Sequence, residues 1–189
     1  MTMQVKRKKD SRVVKCIVHR IADIPGGVTV ETASLGGKAL FEGTPLGKGK
    51  DGLFNVVKTA QIVTAADATA TAYEVAKGHH FKTGDRFSAG GANGQVIATI
   101  DKSDPAKDII TLSATLGKAV KVGDVAFESS GANTTLKVVP ITIAGSNEDV
   151  DPDGDNLWVD AWLIGAVRES NAPAVTDAIK SALKGIIYF

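Results

Sequence analysis

The sequence predicts a mainly β fold: a small barrel or sandwich inserted into a β-rich base domain, with one short helix near the C-terminus. Three observations carry this expectation. Glycine is plentiful, 20 of 189 residues against a usual share of about 7%, while aromatics make up only 5%. Short segments of alternating apolar and polar residues are separated by glycine- and proline-bearing turns, which is the spacing of strands. Finally, Lys-x-Gly-Asp recurs, in FKTGDRF (81–87) and VKVGDVAF (120–127), the rhythm of a small antiparallel barrel or sandwich.

Along the chain, RVVKCIVHRI (12–21) alternates as a half-buried strand does. Pro25 to Gly27 forces a turn, and VTVET follows as a second short strand. LFEGTPLGKGKDGLFNVVKTA (40–60) reads as a hairpin, with a Gly-Thr-Pro turn on entry and a Gly/Lys tip before LFNVV. AADATATAYE (65–74) has helical propensity, but its threonines and β-rich surroundings favour a loop leading into a strand at Tyr73–Val75.

The strands GQVIATID and DIITLSATL are expected between the two Lys-x-Gly-Asp segments, so that residues 72–129 form the inserted unit. The base comprises residues 12–63 and 131–189, preceded by a basic arm at 1–11. Ser129 to Thr135 reads as a linker, and LKVVPITIA as a strand in which Pro140 marks an edge or a bulge.

LWVDAWLIGAV (157–167) reads as one strand of period two, with Leu157, Val159, Ala161 and Leu163 on one face and Trp158, Asp160 and Trp162 on the other. TDAIKSALKG is the helix: Thr176 as N-cap, Asp177 in the first turn, an Ile179, Ala182 and Leu183 stripe, and Gly185 as C-cap. The terminal Ile-Ile-Tyr-Phe is expected to be buried, since four exposed apolar residues would promote aggregation.

The chemistry-bearing residues favour no catalytic centre. His79 and His80 are adjacent and would point to opposite faces of a strand, so structural polar positions suit them better than joint metal ligation. Cys16 has His19 three residues on but no third orienting partner, and reads as a structural thiol. GKGKDG (47–52) satisfies G-x-G-x-x-G, yet a strand follows it where a dinucleotide site needs a helix.

DVDPDGDNLWVD (149–160) places acidic residues at positions 1, 3, 5, 7 and 12 of a calcium-type loop, with Gly154 at position 6. Against calcium stand the terminal Asp160 where Glu would reach bidentately, Asn156 where an apolar residue belongs, Pro152, and strand-like flanks. The reading favours no metal. Were calcium held, Asp149, Asp151, Asp153, Asp155 and Asp160 would be its ligands, in a calcium-dependent carbohydrate-binding or adhesin-like module.

A net charge of +1 gives no global field for nucleic acid or membrane, and no apolar run approaches the roughly 20 residues of a membrane helix. Charges interrupt VVKCIVHRI, so a signal-peptide core is not expected there, and the lone Cys16 suits a reducing cytoplasm. Lys6, Arg7, Lys8 and Lys9 form a local basic run, either solvated or docked on an acidic partner.

The hairpin LFEGTPLGKGKDGLFNVVKTA resembles the G-T-x-L-G-K…G hairpin of tailed-phage head decoration proteins. IAGSNEDVDPDGDNLWVDAWLIGAV is similar, in character and order, to the acidic turn and outward strand that follow it in that family. The middle and end, GHHFKTGDRF…VKVGDVAF and AVRESNAPAVTDAIKSALKGIIYF, resemble longer head-fibre or decoration proteins of Bacteroidetes phages and prophages.

The resemblance implies a non-enzymatic virion protein, made in the host cytoplasm and bound to the outer capsid surface. Its partners would be the major capsid protein, further copies of itself as a homotrimer, and a further head fibre protein. Lys6, Arg7, Lys8 and Lys9 would reach over neighbouring capsid subunits, and 72–129, absent from the minimal decoration fold, would project. Trp158, Trp162, Ile179, Leu183, Ile186, Ile187, Tyr188 and Phe189 would pack between protomers or into the base.

Overall fold

The computed structural model describes residues 15–151 and 154–189. Among the described residues, strands make up 40% and helix 7%. The chain lays down β1 (Ile17–Asp23), β2 (Val28–Val30), β3 (Ala39–Leu40), β4 (Pro45–Lys48) and β5 (Phe54–Val56) before crossing into a second sheet. That sheet holds β6 (Thr59–Gln61), β7 (Ala72–Ala76), β8 (Arg86–Ser88), β9 (Gln95–Asp101), β10 (Lys107–Leu112) and β11 (Val125–Glu128). The chain then returns to build β12 (Thr142–Ala144), β13 (Glu148–Asp149), β14 (Leu157–Val159), β15 (Ala161–Val167), α1 (Asp177–Ala182) and β16 (Ile186–Tyr188).

The insert is the sheet β6-β11-β8-β9-β10-β7, and it curls until its outer strands touch at an Ile62–Val75 bridge. Antiparallel pairing of consecutive strands follows from short polar turns. The two Lys-x-Gly-Asp repeats make the same turn: Gly84 and Gly123 both have φ +91°, and Asp85 and Asp124 accept the backbone N–H of Lys82 and Lys121 at 2.7 and 2.8 Å. Glycine at that left-handed position, with an Asp closing the turn onto its own backbone, is what the turn geometry requires. Inside the curl lie Tyr73, Phe81, Phe87, Ile97 and Ile110. Thr59–Gln61, read from the sequence as the tail of the first base segment, pairs with β11 in this sheet.

The base is the sheet β1-β15-β12-β4-β5-β2-β14, with β16 added parallel to β15. The hairpin β4–β5 forms as expected, Leu46 facing Val56 and Lys48 facing Phe54. Its tip turns at Asp51-Gly52, both with positive φ (53° and 79°), so the G-x-G-x-x-G match is hairpin chemistry. Apolar residues occupy both faces of the sheet. Val30, Leu46, Val56, Ala144 and Val159 form one core, while Ile143, Val57 and Val167 meet Ile179, Leu183 and Ile186 in the other. Thr176 Oγ1 accepts from Ile179 N at 3.3 Å and caps the helix that closes this second core.

Several expectations are corrected. The run 157–167 is two strands broken at Asp160, because β14 pairs with β2 while β15 pairs with β12 and β1. Its alternation also changes phase at Leu163. The ladder advances from Ile164 to Trp162 on β15 while it advances from Ala22 to Asp23 on β1, so Leu163 is the extra residue of a bulge. The strand expected over LKVVPITIA is only Thr142–Ala144, and Pro140 lies before it. Gly185 is not a left-handed cap. Leu183 ends the helix, and a Cβ on Gly185 would run into the Leu163 carbonyl, so glycine is required by the close approach of β15, where Gly165 N donates to Gly185 O at 3.0 Å.

Candidate functional site

Two features stand out from the ordinary surface of this fold: a polar seam between insert and base, and an apolar face on the base. The seam begins at the first crossing. Val56 and Val57 point into the two base cores, Ala60 and Ile62 into the insert core, and Lys58 lies between them, only 6% exposed. Its Nζ is 2.7 Å from Asp85 Oδ2 and 3.6 Å from Glu128 Oε2. Glu128 ends the last insert strand and is 2.6 Å, through Oε1, from the Lys137 ammonium on the return crossing.

Burial raises the Glu128 carboxyl above its ordinary pKa, against the opposing hydrogen bond from Lys137 and charge of Lys58. Burial alone would lower Lys137, but its Glu128 partner outweighs that and raises it. Backbone bonds stitch the crossings together, Glu128 N to Lys58 O and Lys137 N to Glu128 O, both 3.0 Å. A cleft of about 310 Å3 opens beside this network, and a second of about 390 Å3 lies between Phe41, Lys77 and His79 of the two units.

His79 and His80 lie in the loop after β7, not in a strand, and both are buried at the seam. The opposite-face argument therefore does not apply; the loop turns both rings inward. His79 Nδ1 accepts from Phe81 N, and His80 Nδ1 accepts from Gly37 N, each at 3.2 Å, which puts each ring proton on Nε2. His79 Nε2 faces Asp108 Oδ2 at 3.1 Å without hydrogen-bond alignment, and Asp108 also receives Lys77 at 2.5 Å.

Burial lowers His79 to about 4, with Asp108 opposing, and lowers His80 to about 3, helped by the neighbouring His79. An Asp beside a His supplies two of the three members of a catalytic triad, but the His79 nitrogen that would serve as base is already occupied by the Phe81 amide. The pair braces a loop.

The apolar face lies on β1, β15 and β16. Across the three strands, Ala166 stands between His19 and Ile187, and Ile164 is paired with Ala22. Cross-strand partners share a face, so Ile164 and Ile187 point the same way, opposite to the helix-covered core. Ile21 is 62% exposed, Ile187 67% and Phe189 60%, with Val18 and Leu163 also uncovered. Here the expected burial of the terminal residues is corrected. Period two sends Ile186 and Tyr188 onto the helix-side core and Ile187 and Phe189 to solvent.

Of the other packing residues, Ile179 and Leu183 are in that core and Trp162 packs against it beneath Arg20, whose guanidinium is 5.3 Å from the ring centroid. Arg20 also pairs with buried Glu42 at 2.6 Å, and Glu42 accepts the Cys16 N–H at 2.8 Å. Trp158 is exposed, and its Nε1 donates to Gly26 O at 2.8 Å.

The described acidic residues of the loop are not gathered about a point. Asp149 pairs in β13 with Ala39, Asp160 sits at the break between β14 and β15, and the Asp155 carbonyl accepts from Thr32 Oγ1 at 2.9 Å. Its described flanks are strands where an EF-hand has helices. Among the described residues no three His, Cys, Asp or Glu converge as metal ligands. Asp153, and Lys6, Arg7, Lys8 and Lys9, lie outside the described residues.

Sequence reasoning missed the seam. The repeated Lys-x-Gly-Asp signalled the turn, but nothing in it distinguishes Asp85, which meets Lys58, from Asp124, which does not. Among the described residues no helix is long and apolar enough to cross a membrane. Compared with known proteins, the chain matches no family model, no curated protein and no solved structure.

Proposed function

We propose that this chain is a virion structural protein that decorates the outer capsid surface or anchors a head fibre, working by contact and not by catalysis. The observation that carries the reading is the set of exposed apolar side chains on β1, β15 and β16, with Ile164, Ile187 and Phe189 on one face and Val18 and Ile21 uncovered on the adjoining strand, since monomeric soluble proteins seldom leave large apolar patches to water. The two-unit build supports it too: the base carries the exposed apolar face, and the insert is a separate curled sheet beside it.

In this reading the base meets the major capsid protein and further copies of itself in a homotrimer. The insert stands outward, where a head fibre protein would dock. Reinforcement follows from avidity, because several weak contacts per assembly must break together.

Co-sedimentation with assembled shells of the proposed partner, a tailed-phage major capsid protein, tests the proposal. Wild type is expected to bind saturably. Ile164→Asp with Ile187→Asp should abolish binding while changing folding stability by less than about 1 kcal/mol, as exposed substitutions do. A wild-type protein that stays in the supernatant at every concentration overturns the proposal.

A further inference from the structure

Apolar side chains that share a core hold their elements together at any pH; imidazoles and charges do not. Insert and base do not share a core. Tyr73, Phe81 and Phe87 cluster on one side of the seam, and the two base clusters contain no insert residue. What is buried between them is polar: Lys58, His79, His80, Asp108 and Glu128.

The facing strip of the base is residues 32–38. Gly37 N donates to His80 Nδ1 at 3.2 Å, Lys82 Nζ to Ala33 O at 2.6 Å and Lys102 Nζ to Gly36 O at 3.0 Å. At Gly36 the two backbones abut so closely that a Cβ would strike the His80 and Phe81 carbonyls. Beyond this strip, the Phe41 ring lies against Gly78, and the units are joined covalently at two crossings, which Lys58, Glu128 and Lys137 bind to one another.

We infer that the seam is an acid-opened clasp: protonation of His79 and His80 releases the insert from the 32–38 strip, and the insert swings about the paired crossings while both units remain folded. The inference is independent of capsid binding. Facing His80 are His79, Lys58, Lys102 and Lys82; facing His79 are Asp108, Lys102 and Lys77. A proton on His80 therefore adds charge to a site already ringed by ammonium groups, and it also meets the cost of burial.

The sign follows from the lowered values. The closed form holds both rings neutral, and the open form lets them charge near 6.5, so the open form binds more protons. The histidines' contribution to closure is fully present above about 6.5 and weakens as pH falls, about tenfold per unit for each histidine, until about 4 for His79 and about 3 for His80. Glu128, whose carboxyl burial shifts the other way, is held among Lys137, Lys58 and Asp85 in the crossings that stay paired, so it does not add to this pH dependence.

Hydrogen exchange of the full chain, expressed as protection factors between pH 7.5 and 4, with scattering at each pH, tests the clasp. The amides of Gly37 and Phe81 should lose at least tenfold protection below about pH 5.5, the radius of gyration should rise reversibly, and Ile97 and Ile110 in β9 and β10 should stay protected. Seam amides that remain protected to pH 4, or that open together with β9 and β10, overturn it. His80→Asn keeps an acceptor for the Gly37 amide and should move opening to lower pH by about a unit; opening at the unchanged pH also overturns it. The wild-type profile decides the matter even if that variant does not fold.

Discussion

Tyr73, Phe87 and Phe81 fill the middle of the insert, successive ring centroids 5.5 Å apart, whereas the fully buried residues of the base include no aromatic ring and are spread over both faces of its sheet. The consequence is visible at the surface. Among the described residues, Val122 is the only exposed large hydrophobic in the insert; Val18, Ile21, Val139, Ile141, Trp158, Leu163, Ile164, Ile187 and Phe189 all lie in the base or on its return crossing. Closing a small curled sheet around three rings consumes its apolar side chains. A sheet with a core on each face has two further surfaces to cover, and one short helix covers only part of one. The contrast separates a unit whose own core takes up its apolar side chains from one that leaves several of them exposed.

Three substitutions sharpen that contrast, from the largest effect to the smallest. Phe87→Ala removes a fully buried ring from the insert core and should cost about 3–5 kcal/mol. Urea denaturation followed separately in the two units should show the insert melting first while base amides keep their protection; simultaneous loss would mean that the two fold as one.

Lys58→Ala should cost about 3 kcal/mol, because it strands Asp85 and Glu128 in the seam without their shared cation. Adding Glu128→Gln should recover part of the loss in thermal denaturation at pH 7; full additivity would show that the pair does not communicate. Thr176→Ala deletes the cap on the helix over the base, and should cost about 1 kcal/mol with no effect on insert protection.

The turns were the most legible part of the sequence. Asp51-Gly52, the two Gly-Asp turns and the Thr176 cap are local: a few bonded neighbours decide them, and the residue types state the geometry. What the sequence concealed depends on partners far along the chain. The phase change at Leu163 exists because β1 pairs irregularly across more than a hundred residues. Gly185 looked like a helix stop, and its real constraint is the carbonyl of Leu163, brought against it by the parallel pairing of β15 with β16. The seam was equally hidden, since Lys58, Asp85, Glu128 and Lys137 meet only once two crossings lie side by side.

By itself, then, the amino-acid order determined the β character of this protein, the places where its strands turn, and the single capped helix, because each rests on backbone preference and alternation within a few residues. Only the tertiary structure decided which apolar residues are covered and which buried charges meet. Burial is a property of what packs against a side chain: Ile186 and Ile187 are chemically identical neighbours, and one is in a core while the other faces water.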